Sequence, residues 1–321
     1  MERKKEWSTE HIEKQKSVSA RDIWICIIAY LAAGFSAYAS ASLLAGYHPI
    51  IIVLGADVTA TCVIFIFSII VNNSSMYDPY WSVAPPFILL FWILHHFAVT
   101  EGQLAGELSV LRLVVVLALV FFWAARLTYN WAHQWKGLSH EDWRYSDFRS
   151  AGIPMYWIIS FFGFHLFPTL IVFLGSLPLY AVVTGLEHGI TLLDGVATAV
   201  TVTAILLELI SDRQLYRFRM QRTSSGQVCR QGLWRCSRHP NYLGEVLFWW
   251  GIFLFGIAAS GAYLWTVIGP IIVTLLFIFL SIPMMEKREL KRKPDYREYR
   301  KDTPPLVPLL NITIDRSRRS G

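Results

Sequence analysis

Between Asp212 and Glu245 lie Arg213, Arg217, Arg219, Arg222, Arg230, Arg235 and Arg238, with no lysine and no acid among them. A guanidinium presents a planar fork that grips phosphate through paired hydrogen bonds. Lysine would serve as well if the only task were to face anionic lipid. The run therefore has two readings, a basic collar at a membrane surface and a phosphate-facing wall. The residues on its C-terminal side favour the wall. His239-Pro240 reads as a helix start, because Pro suits the first helical turn and pushes its predecessor to an extended conformation. Asn241 and Glu245 then fall one turn apart on one face, and Gly244 permits close approach of a backbone or a ligand. A helix entered from an arginine-rich loop can hold an anion at its N-terminus. The plainer reading of Asn241 and Glu245 is local capping of that helix. Asp212 and Arg219 lie two turns apart on similar faces, with Glu208 one turn before Asp212. That row either holds a ribose or an amide, or forms an ion-pair ladder among Glu208, Asp212 and Arg213.

A second candidate group is Met76-Tyr77-Asp78-Pro79-Tyr80-Trp81-Ser82. Asp78 and Tyr80 are the candidate proton or hydrogen-bond donors toward a substrate carbonyl. Against this stands ordinary turn chemistry at Asp-Pro, with aromatics at a membrane interface. His165 sits in an apolar run, where a histidine is more often an interhelical hydrogen-bond partner than a catalyst, and His95-His96 read the same way. Asp57 is an intramembrane acid and so a site candidate by default. It falls near the far end of its span and is left without a role. The cysteines Cys26, Cys62, Cys229 and Cys236 show neither CxxC nor Cys/His ligand spacing, so no disulfide framework and no metal site are expected. No GxGxxG follows a strand, so no Rossmann site is argued.

These groups must be carried by membrane helices. The chain has 321 residues, 54% hydrophobic and 16% charged, against about 25% charged in soluble domains. Long stretches carry no charge at all. Runs of about 20 apolar residues span the hydrocarbon core, and eight are expected (range 7–10): roughly 22–46, 49–71, 82–98, 110–130, 154–183, 191–211, 245–261 and 262–283. The fifth is over-long, with Pro168 and Pro178 as points where it would kink or split. A tight turn at Gly261 makes the last two an antiparallel hairpin. The basic segments are the N-terminal tail, the arginine run and the tail from Lys287 to Arg319, and with eight spans all fall on one side. The positive-inside rule makes that side, and both termini, cytosolic. The expected organisation is a polar tail at 1–21, a membrane domain at 22–285 with its pocket mainly in 205–285, and a basic tail at 286–321. Residues 131–153, with Trp131, Trp135 and Trp143, are expected along the membrane surface. The net charge of +6 is an orientation signal, not a nucleic-acid footprint.

Gly232-Leu233-Trp234-Arg235-Cys236-Ser237-Arg238, followed by His-Pro-Asn-Tyr-Leu-Gly-Glu, resembles the C-terminal domain of the steroid 5α-reductases. The closer likeness is to steroid 5α-reductase-like membrane proteins. It continues in Arg126–Trp131, Glu141–Tyr145, Glu286–Arg288 and Tyr296–Tyr299, and covers roughly residues 75–310. The resemblance implies an all-helical membrane enzyme that reduces an activated C=C bond of a lipophilic substrate with NADPH. It implies cofactor contacts from Asp212, Arg219, Arg235, Asn241 and Glu245, with Arg238, His239 and Tyr242 of the same motif beside them. Tyr242 stands where the steroid reductases often have Phe. Arg238-His239-Pro240 is more similar to sterol C14-reductases and isoprenylcysteine methyltransferases. An S-adenosylmethionine-dependent methyltransferase and a non-catalytic lipid-binding protein are therefore the alternative expectations. For a eukaryotic chain the resemblance implies the endoplasmic reticulum membrane. The expected partners are a lipophilic small molecule and membrane lipids, with no obligate protein partner.

Overall fold

The computed structural model describes residues 18–101, 107–185, 189–224 and 226–307. Among these residues there is no strand, and eight helices are long and apolar enough to cross a membrane. They are α1 (Ala20–Leu43), α2 (Pro49–Ile70), α3 (Tyr80–Val99), α4 (Glu107–Gln134), α5 (Ile153–Thr184), α6 (Leu192–Gln221), α7 (Pro240–Ala259) and α8 (Gly261–Arg292). A short α9 (Tyr296–Asp302) comes after them. The chain is a polytopic helical membrane protein. Its outer surface fits that solvent: Leu31 and Phe35 on α1 are 68% and 75% exposed, a cost in water that lipid removes.

The local chemistry explains where these helices begin. Pro49 opens α2, with the His48 ring accepting from the Ile50 N–H at 3.3 Å. Thr191 and Asp194 cap α6, the Asp194 carboxylate accepting from the Thr191 N–H at 2.7 Å. Pro240 occupies the first turn of α7, where its missing N–H costs nothing. Ser260 alone separates α7 from α8, and its hydroxyl accepts from the Ala262 N–H. The expected hairpin is there, tied across by the Trp250 indole N–H donating to Thr274 Oγ1 at 3.1 Å.

The helices depart from the sequence expectation inside α5 and at the ends of α6 and α8. α5 is not split at its prolines. It runs unbroken from Ile153 to Thr184, and its irregularity is a π-helical turn at Ser160–Leu166, just before Pro168. A wider turn there relieves the clash between the proline ring and the preceding turn. α6 continues ten residues beyond 211, which puts Asp212 and Arg219 on one helix, as their spacing implies, with Arg213 and Arg217 between them. α8 continues past 285 to Arg292, which places Glu286 on the last span.

The chain forms two compact units. The first comprises the described residues up to Trp81 together with Leu127–Thr169, and the second comprises Ser82–Arg126 and the described residues from Leu170 onward. In the first, α1 packs on α2, and the connection after α4 folds over the turn before α3. Asn73 Nδ2 donates to the carbonyls of Leu138 and His140 at 2.8 and 3.0 Å, and Arg149 grips Glu141 at 2.8 Å. In the second, α6 lies along α7. Small residues set the approach: a Cβ at Gly244 would meet the Glu208 side chain at 2.5 Å and the Ala204 carbonyl at 2.8 Å. Close backbone approach at small residues is how helices associate where lipid offers no hydrophobic gain.

Candidate functional site

The second unit contains a cavity walled by α6, the loop after it, α7, α8 and α9. It encloses about 150 Å³ and shares Phe218, Arg222 and Val228 with a more open cavity of about 420 Å³. Arg219 and Arg222 come from the end of α6, and His239, Asn241 and Tyr242 from the start of α7. Lys293 lies just after α8 and pairs with Glu289. Tyr296 and Tyr299 of α9 close the wall. Burial pushes both phenols, and the Cys229 thiol, above their ordinary values, so all three stay protonated at neutral pH. His239 stacks on Tyr242 with ring centroids 5.1 Å apart and planes at 8°, and Tyr242 leans on Phe277. Asn241 is partly buried, and its Oδ1 is shut off from solvent with no hydrogen-bond partner.

Glu286 on α8 fixes this end of the molecule. Its Oε1 accepts from Arg238 Nε at 2.7 Å and lies 3.4 Å from His239 Nε2, and its Oε2 lies 3.1 Å from Arg300 Nε. Arg238 also donates to the carbonyls of Arg300 and Thr303. Backbone bonds from Arg238 and His239 to the Pro304 and Pro305 carbonyls add a strap. Tyr299 O–H donates to the Trp234 and Ser237 carbonyls. The Arg-His-Pro start of α7 is thereby held between α8 and the segment after α9.

A second cluster lies deeper in the same unit. Arg126 of α4 donates to Glu208 and, at 3.0 Å, to Asp212, both on α6. Glu245 of α7 is held between two indoles, accepting from Trp123 Nε1 at 3.2 Å and Trp249 Nε1 at 3.1 Å. Glu208 Oε1 and Arg126 Nε are buried without a hydrogen-bond partner. One guanidinium thus faces two carboxylates, and a buried charge is expensive unless its partners balance it.

Five of the eight residues expected at the cofactor therefore meet at one cavity: Arg219, Arg238, His239, Asn241 and Tyr242. Asp212 and Glu245 belong to the deeper cluster, and Arg235 lies exposed on a short helix, Leu233–Cys236. Sequence reasoning gave no role to Arg126, Glu289 or Lys293. The partners of Arg126 are set by the fold, its one cue being its place in a recurring motif, whereas Glu289 and Lys293 form an i,i+4 pair that their spacing offers.

In the first unit, Asp78 and Tyr80 have separate surroundings. Asp78 accepts from the Tyr145 O–H and lies 3.2 Å from Arg144, so it pins the Trp143–Ser146 turn. Burial and the Asp78 charge hold the Tyr145 phenol well above its ordinary value. Tyr80 reaches α2 instead, where its O–H donates to Asp57 Oδ1 at 2.5 Å and also meets the Asp57 carbonyl at 3.0 Å. Asp57 is 6% exposed, and its Oδ2 has no hydrogen-bond partner. Tyr77 stacks on Tyr80 at 4.9 Å and hydrogen-bonds Thr169, which in turn bonds Thr61. His165 is an interhelical partner: one ring nitrogen lies 2.9 Å from the Ser160 carbonyl and the other 3.1 Å from Ser68 Oγ.

A polytopic protein with a cation-lined polar cavity at one end of its last three spans is the class that these observations define. Residues 64–303 match the family described as a protein of unknown function, DUF1295, and the chain belongs to that family. It is also similar to the uncharacterized protein C594.04c of Schizosaccharomyces pombe, 28% identical over 269 residues that cover 76% of this chain and 75% of the yeast protein. No solved structure gives a significant match.

Proposed function

We propose that this protein is a membrane oxidoreductase that reduces an activated C=C bond of a lipophilic enone or enoyl substrate with NADPH. The observation that carries the reading is the cavity where Arg219, Arg222 and His239 surround Asn241, whose buried Oδ1 has no partner. A buried acceptor without a donor costs about 1–3 kcal/mol, and an amide N–H of a ligand would remove that cost. The cations suit phosphate, and the open neighbouring cavity extends the volume to that of a ligand with several groups. Arg219 and Arg222 would hold phosphate, Asn241 would orient a carboxamide, and the neutral Tyr296 and Tyr299 would supply apolar wall and donor O–H groups. The cofactor, when bound, supplies a hydride. The substrate's β-carbon takes that hydride and its α-carbon takes a proton, so the double bond gains two hydrogens. Within the first unit, Tyr80 is the candidate donor of this reading, its O–H resting on Asp57 Oδ1. Asp78, spent on Arg144 and Tyr145, has a holding role. Residence in the endoplasmic reticulum membrane belongs to the same proposal.

Binding of NADPH to purified protein in detergent tests the reading. Saturable binding is expected, weakened about 10-fold or more by Arg219→Ala and by Asn241→Ala, as for loss of a charge-assisted or buried hydrogen bond. NADH binding as tightly as NADPH would remove the 2′-phosphate from the argument. Saturable binding of S-adenosylmethionine with none of NADPH would replace the reductase by a methyltransferase, whose cofactor lacks phosphate. Failure to bind either by folded protein would leave a non-catalytic lipid-binding role.

A further inference from the structure

On the other side of α8 from the nucleotide cavity lies a second, larger one of about 610 Å³. That volume is within the roughly 300–1,000 Å³ of small-molecule sites. Its floor is apolar and runs along one row of the helix: Ile278, Ile282 and Leu290, with Leu306 from the segment after α9 facing them. Its rim is cationic, from Lys287 and Lys291 on α8 and Arg300 on α9. The two lysines are four residues apart and exposed, and no described acid forms an ion pair with either. Like charges at that spacing repel, so the bare helix is worse off than one with an anion between them. Glu286, the acid in the same lining, is already committed to Arg238, His239 and Arg300.

The order of these residues along α8 identifies the ligand. Ile278 lies in the π-helical turn of the apolar part of the span, 42% exposed. Ile282 is one turn on, and the lysines come at the polar end. A ligand that fills the groove must be apolar where it meets Ile278 and Ile282 and anionic where it meets Lys287 and Lys291. We infer that this groove is a site for one anionic phospholipid, with an acyl chain along Ile278 and Ile282 and the headgroup phosphate between Lys287, Lys291 and Arg300. Lysine suits this task, because the headgroup sits at a wet interface and needs charge more than a planar fork. The nucleotide cavity, deeper and walled by arginine, calls for the opposite choice. Arg238 is in the wall of both cavities, but the lipid site does not depend on what the other one binds.

The test uses full-length protein in nanodiscs of phosphatidylcholine containing a minority of phosphatidylserine, with native mass spectrometry after release. One phosphatidylserine retained per chain, in preference to the excess phosphatidylcholine, is expected. The double variant Lys287→Gln/Lys291→Gln, at two exposed positions, should lower that retention about 10-fold or more. Ile282→Trp should lower it with both lysines in place, and a melting curve confirms that this variant is folded. Lys301→Gln, on the exposed end of α9 away from the groove, should leave retention unchanged. Equal retention by wild type and the lysine double variant would overturn the site, as would displacement of the lipid by inorganic phosphate alone. NADPH affinity measured on the same preparations reports separately on the nucleotide cavity.

Discussion

Glu286→Gln probes the joint that holds the start of α7. The wild-type carboxylate faces two guanidiniums, Arg238 at 2.7 Å and Arg300 at 3.1 Å, with the His239 ring at 3.4 Å. Its side chain is 6% exposed, that of Arg238 8% and that of Arg300 53%. Arg300 can return to water, so its share of the loss is below about 1 kcal/mol. Arg238 cannot. It keeps the Arg300 and Thr303 carbonyls but loses its counter-charge. Removing one partner of a buried pair costs about 3–5 kcal/mol, and the two carbonyls together with the retained amide oxygen place this substitution near the low end, at about 3 kcal/mol. That is about a 100-fold change in the unfolding equilibrium.

Reversible unfolding in mixed detergent and dodecyl sulfate micelles measures it, with hydrogen exchange at the Arg238 and His239 amides as a local readout. The variant should unfold at lower dodecyl sulfate, and those two amides should exchange faster, because they donate to the Pro304 and Pro305 carbonyls of the segment that Arg238 holds. Arg300→Ala should cost under about 1 kcal/mol. A Glu286→Gln protein within about 0.5 kcal/mol of wild type, with unchanged exchange, would refute the claim that Glu286 anchors Arg238.

Gly244→Ala should destabilise by about 1–3 kcal/mol, since its Cβ meets backbone as well as the Glu208 side chain. Gly195→Ala on α6, where a Cβ meets nothing within 4 Å, should be neutral or stabilising by the same unfolding assay, and equal effects would contradict the close approach of α6 and α7. Glu141, in the polar connection of the first unit, gives a pH signature. Burial pushes its carboxyl up, but the Arg149 hydrogen bonds, the Ser74 N–H, Tyr156 and the Arg149 charge outweigh that and leave it below its ordinary value. A depressed carboxyl stabilises the fold above its unfolded pKa, near about 4.3, and that contribution is lost as pH falls through the folded value. Glu141→Gln should therefore be less stable than wild type near neutral pH and converge with it in acid, and a constant difference across pH would rule out the Arg149 linkage.

The spans were legible because charge-free runs of this length have few other uses, but hydropathy marks where the bilayer ends and not where the helix ends. α6 and α8 run on through Arg219 and Arg292 because arginine, lysine and glutamate are good helix formers once a helix is nucleated. The cavity was legible where its residues are close in sequence, as at His239, Asn241 and Tyr242. Pairs such as Arg126 with Glu208 or Arg238 with Glu286 are 82 and 48 residues apart, and no local pattern announces them. The partner of Asp57 is likewise distant in sequence. Tyr80, at the start of α3, reaches back to it on α2.

The described acids divide by whether both of their oxygens have partners. Asp194 accepts from Arg112 and Thr191, Glu141 from Arg149, Tyr156 and Ser74, and Glu286 meets Arg238, His239 and Arg300. Each ties distant segments together with full valence, and a ligand would have to break a bond to use it. Asp57 and Glu208 each keep one buried oxygen without a partner, as the amide of Asn241 does. Burying such an acceptor costs free energy that the fold alone does not return. Asn241 borders the cation-lined cavity and Asp57 is bonded to an intramembrane phenol. The two places where the protein tolerates that cost beside a group able to bind or donate are the places where substitution should change function before it changes stability.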